Sequence, residues 1–321
     1  FYLARARQVP GQDPLRDVLL GIVASAEEPI SAGRHKVFGN AALGVIPQTS
    51  TIASHLPRAV GLAFSLGRAA QLGIDTEWPP NAVVTCSFGD ASANHSTAAG
   101  AINAALHCAH QGLPMPLLLV CEDNGIGISV RTPKGWIEAA YGDRNGLRYF
   151  QVDGDDPLHC LEVAQHAADW VRDNRAPALL HLRTVRLMGH AGSDVESGYR
   201  SRSEILGDYA RDPLVATAKV LVAHGILQPD QVLHRYESIR DEVAAISEEV
   251  LTRPKLSSAS EVMSAIAEHR PDAVAHRAAG RDHRDAVFGD RKPEDEGALT
   301  LAQAINRSLS EELARDQRVL V

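Results

Sequence analysis

Gly89-Asp90-Ala91-Ser92 and Glu122-Asp123-Asn124-Gly125-Ile126-Gly127-Ile128 open and close the stretch that decides the fold. Before it runs Ala82-Val83-Val84-Thr85-Cys86, apolar and β-branched, which reads as a buried strand. After a glycine turn, Ala98, Ala99, Ile102, Ala105, Leu106 and Ala109 recur at helical spacing between Ala93 and Gln111. Their small size lets this helix lie close on a sheet. Gly112 and Pro114 stop it, and Leu117-Leu118-Leu119-Val120-Cys121 follows as a second apolar strand. Strand, helix, strand in that order predicts a parallel pair with a right-handed crossover.

Ligands of such units sit beyond the carboxyl ends of the strands. Asp90 falls just past the first strand and Asn124 just past the second, so backbone geometry brings a carboxylate and an amide to one edge. Both are oxygen donors suited to Mg²⁺ or Ca²⁺, and Mg²⁺ commonly adds phosphate oxygens to few protein ligands. The helix starting near Ala93 is expected to aim its N-terminal amides at the same place, which suits a phosphate. Taken singly, Asp90 also reads as a helix cap and Asn124-Gly125 as a turn dipeptide.

Gly-Asp, then a helix, then a strand ending in Asn resembles the thiamine diphosphate signature, at a spacing slightly longer than the family's usual gap. The wider resemblance, over residues 1–255, is to the α part of the decarboxylating (dehydrogenase) component of 2-oxo acid dehydrogenase complexes, branched-chain type. It implies an α/β thiamine diphosphate-binding fold, a mostly parallel sheet with helices on both faces. It implies thiamine diphosphate and Mg²⁺ as cofactors, the metal held by Asp90, Asn124 and the backbone oxygen of Ile126. Gly89, Ala91 and Ser92 join them as cofactor-binding residues.

Thr49 to Pro57 matches a family loop that meets the aminopyrimidine ring. The resemblance gives the backbone at Ser50 and Ile52 the task of holding the ring, and the Ile52 side chain that of supporting the bent cofactor. Some members bind K⁺ through this loop; His55 stands where they have glutamine. Leu187-Met188-Gly189-His190-Ala191-Gly192-Ser193-Asp194 follows another strand. There His190 lines up with the family histidine that touches the diphosphate and assists reductive acylation of the lipoyl group, which makes it the catalytic candidate. Arg186 and Arg200-Ser201-Arg202 fit the neighbouring loop, where mitochondrial members carry phosphorylatable serines. Ala191 occupies the main such position, so that switch is expected to be absent.

Two departures stand out. Glu122 replaces an arginine that binds diphosphate in branched-chain members; a glutamate there repels the anion, so either another cation substitutes or Glu122 points away. Asp123 stands where asparagine is usual.

The implied activity is oxidative decarboxylation of a 2-oxo acid, branched-chain or pyruvate, with the cofactor as electron sink. The acyl group passes to the lipoyl group of a dihydrolipoamide acyltransferase. The chain is thus read as an oxidoreductase acting on an oxo group with a disulfide acceptor. The glutamate that activates the aminopyrimidine belongs to the family's β part, so a β-type domain and a homodimer or α2β2-like assembly are expected. An acetoin dehydrogenase or transketolase-type thiamine enzyme is one alternative. A non-catalytic scaffold of the same fold, favoured by Glu122, is another. A nicotinamide enzyme is poorly supported, because no GxGxxG follows a strand.

The remaining chain sets bounds. Its 321 residues suffice for two domains or one large one, and 45% apolar content supplies a core. A net charge of −8 without a basic stripe argues against nucleic acid. Four cysteines without CxxC spacing read as free thiols of a reducing cytoplasm. No apolar run approaches the ~20 residues of a membrane span, and no signal peptide is visible, so no membrane partner is expected and the cytoplasm is. Phe1 is not a natural start, so the true N-terminus, with the family's diphosphate-gripping arginine, is expected upstream.

Helices are predicted at Pro14 to Ala26, with Leu15, Val18, Leu19, Ile22 and Val23 on one face, and at Pro57 to Leu72. Ser129 to Asn145 reads as a polar loop, Tyr149 to Val152 as a strand, Pro157 to Arg172 as a helix and Pro177 to Arg186 as a strand. Two helices fill Asp212 to Val250. The expected organisation is a cofactor domain at 1–255, a linker at 256–297, and at 298–321 the start of a β-type, pyrimidine-binding domain: a helix ending at Asp316, then a strand from Arg318 to Val321. On this reading the natural protein is an α–β fusion.

Overall fold

The computed structural model describes residues 2–266, 270–277 and 281–320. They form two compact units: one reaches Ala70 and resumes at Thr76 to Ser257, the other comprises Gln71–Asp75 and the chain from Ser258 on.

The first unit is built on a sheet of four parallel strands, β1 (Val84–Gly89), β2 (Leu117–Asp123), β3 (Arg148–Asp153) and β4 (Ala178–Arg183), in the order β1-β2-β4-β3. Helices α1 (Tyr2–Ala6), α2 (Pro14–Ile22) and α3 (His55–Leu72) precede it. α4 (Ser96–His110) crosses from β1 to β2, α5 (Trp136–Tyr141) lies between β2 and β3, and α6 (Pro157–Asn174) connects β3 to β4. α7 (Arg202–Tyr209), α8 (Pro213–Ala223) and α9 (Pro229–Leu251) complete it. No helix among the described residues is long and apolar enough to cross a membrane.

Strand alternation sorts the core into two layers. Leu117, Leu119 and Cys121 of β2 pack with Cys86, Phe88 and Leu179 beneath α3, α4 and α5. Leu118 and Val120 face the other way, toward Ala167 and Val171 of α6. Helices therefore cover both faces, which parallel strands require. On α4 the buried face is Ala98, Ala101, Ile102 and Ala105; Ala99, expected on that face, is exposed. Gly67 of α3 lets the helix approach the turn before β2, since a Cβ there would stand 3.0 Å from the Cβ of Pro114.

Several boundaries move. β1 begins at Val84, not Ala82, and reaches Gly89. α2 stops at Ile22, because Ala24 turns into the left-handed region (φ 54°) and Ser25 N–H closes back on Leu20 O at 3.0 Å. Its buried residue is Leu20, while Ile22 is exposed, so the expected apolar face is corrected. β4 ends at Arg183, which frees Arg186 from the sheet. α5 was missed inside the predicted polar loop; it forms because Ile137 and Tyr141, one turn apart, both enter the core. The cysteines are free thiols, Cys86 and Cys121 buried. Burial pushes the Cys86 thiol up to about 12, so it is an apolar filler and not a nucleophile.

The second unit carries α10 (Ala259–Met263), α11 (Pro271–Arg277), α12 (Arg281–Phe288) and α13 (Leu301–Arg315). Residues 267–269 and 278–280 of the expected linker lie outside the described residues. The expected strand is corrected: residues 318–320 form none, because the Arg318 amide folds back onto the Asp316 carboxylate at 2.9 Å. Val321 lies outside the described residues.

Candidate active site

β1 and β2 pair with Gly89 opposite Glu122, so Asp90 leaves the sheet beside Asp123 and Asn124. Asp90 is buried at 3% exposure. Its carboxylate accepts the hydroxyl proton of Thr132 and a hydrogen bond from the Asn124 backbone. Loss of hydration pushes its pKa up; the neighbouring Asp123 charge adds to this, while the Thr132 and Asn124 hydrogen bonds oppose it. No basic side chain among the described residues pairs with Asp90.

A small hairpin returns the chain to this acid. Gly125 takes a positive φ of 72°, Ile126 bridges Arg131 antiparallel, and Thr132 N–H donates to Gly125 O at 3.1 Å. Within it, Asn124 Oδ1 accepts Ile126 N–H at 3.1 Å and Asp123 Oδ1 accepts Gly125 N–H at 3.0 Å. Such side-chain turns fix where the Asn124 and Ile126 oxygens point. Gly127 packs against the β1 tip: a Cβ there would stand 3.3 Å from that of Ala91.

The residues after Asp90 correct the expected helix start. Ala91–Asn94, which includes Ser92, is a 3-10 turn, and α4 begins only at Ser96, capped by His95 Nδ1 accepting Thr97 N–H at 3.2 Å. The amides nearest Asp90 therefore belong to this turn and not to the helix.

Glu122 follows Leu118 and Val120 on the α6 face, whereas Asp123 follows Cys121 on the face shared with Phe88. Alternation thus turns Glu122 away from Asp90. Crowding by surrounding protein raises its carboxyl pKa even so.

The loop with Ser50 and Ile52 reaches the same edge indirectly. Ser50 N–H donates to His35 Nε2 at 3.2 Å, and Ile52 is 52% exposed. His55 ties the loop down by donating from Nε2 to Ser87 O in β1 at 2.7 Å.

His190 is exposed, and its backbone N–H donates to Asp194 Oδ2 at 2.6 Å. Tyr199 donates to the same oxygen at 2.5 Å and accepts from Arg186 at 2.6 Å. Arg186 reaches across to the carbonyls of Gly127 (2.8 Å) and Ile128 (2.9 Å). The Tyr199 hydroxyl, then the His190 amide, hold Asp194 below the usual carboxylate range. One chain of hydrogen bonds therefore links the His190 loop to the Asn124 hairpin. The structure brings together Gly89, Asp90, Ala91, Asn124 and Ile126 directly, and His190 only through Arg186.

A family model described as "Dehydrogenase E1 component" matches residues 9–258, which include this whole edge. The chain belongs to the dehydrogenase E1 component family. It is 30% identical over 240 residues to the 2-oxoisovalerate dehydrogenase subunit alpha of Bacillus subtilis, covering 73% of this chain and 67% of that one. It is 28% identical over 174 residues to the mitochondrial pyruvate dehydrogenase E1 component subunit alpha of Dictyostelium discoideum, covering 54% and 45%. The human mitochondrial 2-oxoisovalerate dehydrogenase subunit alpha is 28% identical over 213 residues, covering 64% and 44%. The chain thus spans about two thirds of the bacterial relative and under half of the mitochondrial ones.

For an E1 component the donor chemistry at this edge fits a small divalent cation: a buried carboxylate with no basic side-chain partner among the described residues, an amide oxygen and a backbone carbonyl. Among the described residues no three His, Cys, Asp or Glu side chains gather into a metal cluster. A site completed by phosphate oxygens needs no such cluster. Sequence reading missed Thr132, the partner of Asp90 from 42 positions away. It also missed His181, buried in β4, which donates from Nε2 to Asp123 Oδ2 at 2.9 Å. No local pattern marks either residue; both depend on which segments become neighbours.

Proposed function

We propose that this E1 component binds thiamine diphosphate with Mg²⁺ and decarboxylates a 2-oxo acid, branched-chain or pyruvate. The acyl group then passes to the lipoyl group of a dihydrolipoamide acyltransferase. When bound, the cofactor supplies the carbon nucleophile and electron sink for loss of carbon dioxide. Asp90 holds the metal with a full negative charge, Asn124 and the Ile126 carbonyl complete the protein's share of its ligands, and Gly89, Ala91 and Ser92 border the diphosphate. Ser50 and Ile52 meet the aminopyrimidine end. His190 contacts the diphosphate and moves a proton during acyl transfer. A β-type domain completes the site in a homodimer or α2β2-like assembly. Residues 1–255 act as the cofactor domain, 256–297 as a linker, and 298–321 open the β-type domain.

The observation that carries this reading is the buried Asp90 carboxylate, paired with no basic side chain among the described residues, beside Asn124 at the tips of adjacent parallel strands. Calorimetric titration of thiamine diphosphate, with and without Mg²⁺, tests it on the full-length protein with its β-type partner. Wild type should bind only with Mg²⁺, and Asp90→Ala should abolish binding. Unchanged affinity in Asp90→Ala overturns the site assignment. No binding by wild type favours the scaffold alternative. Assays with pyruvate, branched 2-oxo acids and acetoin then separate the 2-oxo acid dehydrogenase from an acetoin or transketolase-type enzyme.

A further inference from the structure

Asp123 lies next to Asn124, yet both its oxygens are engaged elsewhere. Oδ1 accepts Gly125 N–H at 3.0 Å, and Oδ2 accepts His181 Nε2–H at 2.9 Å. His181 is only 3% exposed and sits on β4 in register with Cys121 of β2 and Gln151 of β3. Its Nδ1 stands 2.6 Å from the Tyr149 hydroxyl, which lies 3.0 Å from Gln151 Oε1. Asp123, His181, Tyr149 and Gln151 thus form one polar chain across β2, β4 and β3, on the same face as Asp90. His181 is the fully buried member, the other three being half-buried, and a buried imidazole is costly unless its nitrogens are satisfied, so it calls for a reason.

Asp123 and Asp90 are two carboxylates at adjacent strand tips, and their charges repel. Without His181, Asp123 is free to swing from the Gly125 amide. The Asn124–Ile126 turn then loses one of its two side-chain anchors. The imidazole prevents this by gripping the outer oxygen of Asp123, and Tyr149 fixes the ring's orientation from its other nitrogen.

We propose that His181, braced by Tyr149, is a positioning residue that locks Asp123 and so holds the Asn124–Ile126 turn in its cation-binding form. The proposal rests on the Mg²⁺–thiamine diphosphate reading above. Partners that orient metal ligands typically change metal affinity about 10–100-fold when removed.

The test is the Mg²⁺ concentration that half-saturates thiamine diphosphate binding, read by calorimetry on the full-length protein with its β-type partner. His181→Phe keeps a ring but removes the donor, and should raise that concentration about tenfold or more. His181→Gln, whose amide can still donate to Asp123, should recover most of the loss. Tyr149→Phe should weaken binding less than His181→Phe and serves as the readout if His181→Phe does not fold. Asp123→Asn combined with His181→Phe should lose no more than the worse single change, because both act through one contact. Mg²⁺ dependence within twofold of wild type in folded His181→Phe or, where that variant does not fold, in Tyr149→Phe overturns the inference and leaves the Asp90 site standing. So does a lowered melting temperature with unchanged Mg²⁺ affinity. Absence of any cofactor binding by wild type overturns the cofactor reading itself, and this inference with it.

Discussion

α4 and α13 are each 15 residues long, and they are held in opposite ways. α4 buries Ala98, Ala101, Ile102 and Ala105 against the sheet. α13 buries none; Leu301 is 78% exposed and Ile305 49%. What α13 has instead is a cap, ion pairs and a neighbouring helix: it packs against α12, where Arg284 pairs with Glu311 at 3.2 Å. Thr300 and Gln303 form a capping box, and Arg307 pairs with Glu296 at 3.1 Å. Exposed pairs of that kind contribute little, and a cap about 1 kcal/mol. Helical periodicity alone does not distinguish the two; what differs is whether the helix buries an apolar face within its own unit.

Four measurements sharpen or break this contrast. The largest effect is expected from Ile102→Ala, which opens a cavity under α4 and should cost about 2–5 kcal/mol in denaturant unfolding. A cost near zero would mean that α4 is not the packed element described. Next, Arg186→Ala removes the guanidinium that joins the Asn124 hairpin to Tyr199. Hydrogen bonds from a charged group are worth about 1.5 kcal/mol or more. Limited proteolysis should therefore cut residues 187–199 roughly tenfold faster.

A smaller effect follows from Asp90. Its folded pKa is raised, chiefly by lost hydration. The folded state thus retains a proton that the unfolded chain has released. Stability of the cofactor-free protein should fall as pH rises from the ordinary carboxylate range through that raised value. Asp90→Asn should flatten this part of a melting-temperature profile. The smallest effect belongs to Ile305→Ala, which should change unfolding of this chain by less than about 0.5 kcal/mol. A larger loss would show that α13 is covered in the folded protein.

Much of the sheet edge was legible. Small residues at helical spacing between two apolar runs foretold β1, α4 and β2, and with them the meeting of Asp90 and Asn124. Boundaries were less so. Ile22 carried the right periodicity for α2, but Leu20 is the residue that a neighbour covers. α5 hid within a polar stretch because two apolar residues one turn apart are too weak a signal by themselves. Glu122 looked like an obstacle to a diphosphate until the pairing register assigned it to the opposite face.

By itself the sequence determined the parallel crossover and the edge at which its polar residues emerge. Those features follow from side-chain periodicity and backbone handedness, which act within one strand–helix–strand unit. Only the tertiary structure decided that Thr132 would reach Asp90, that Arg186 would clasp the hairpin, and that His181 would meet Asp123. These depend on strand order: β4 slots between β2 and β3, and which strand lies beside which is set by how the helices cover both faces, not by any spacing along the chain.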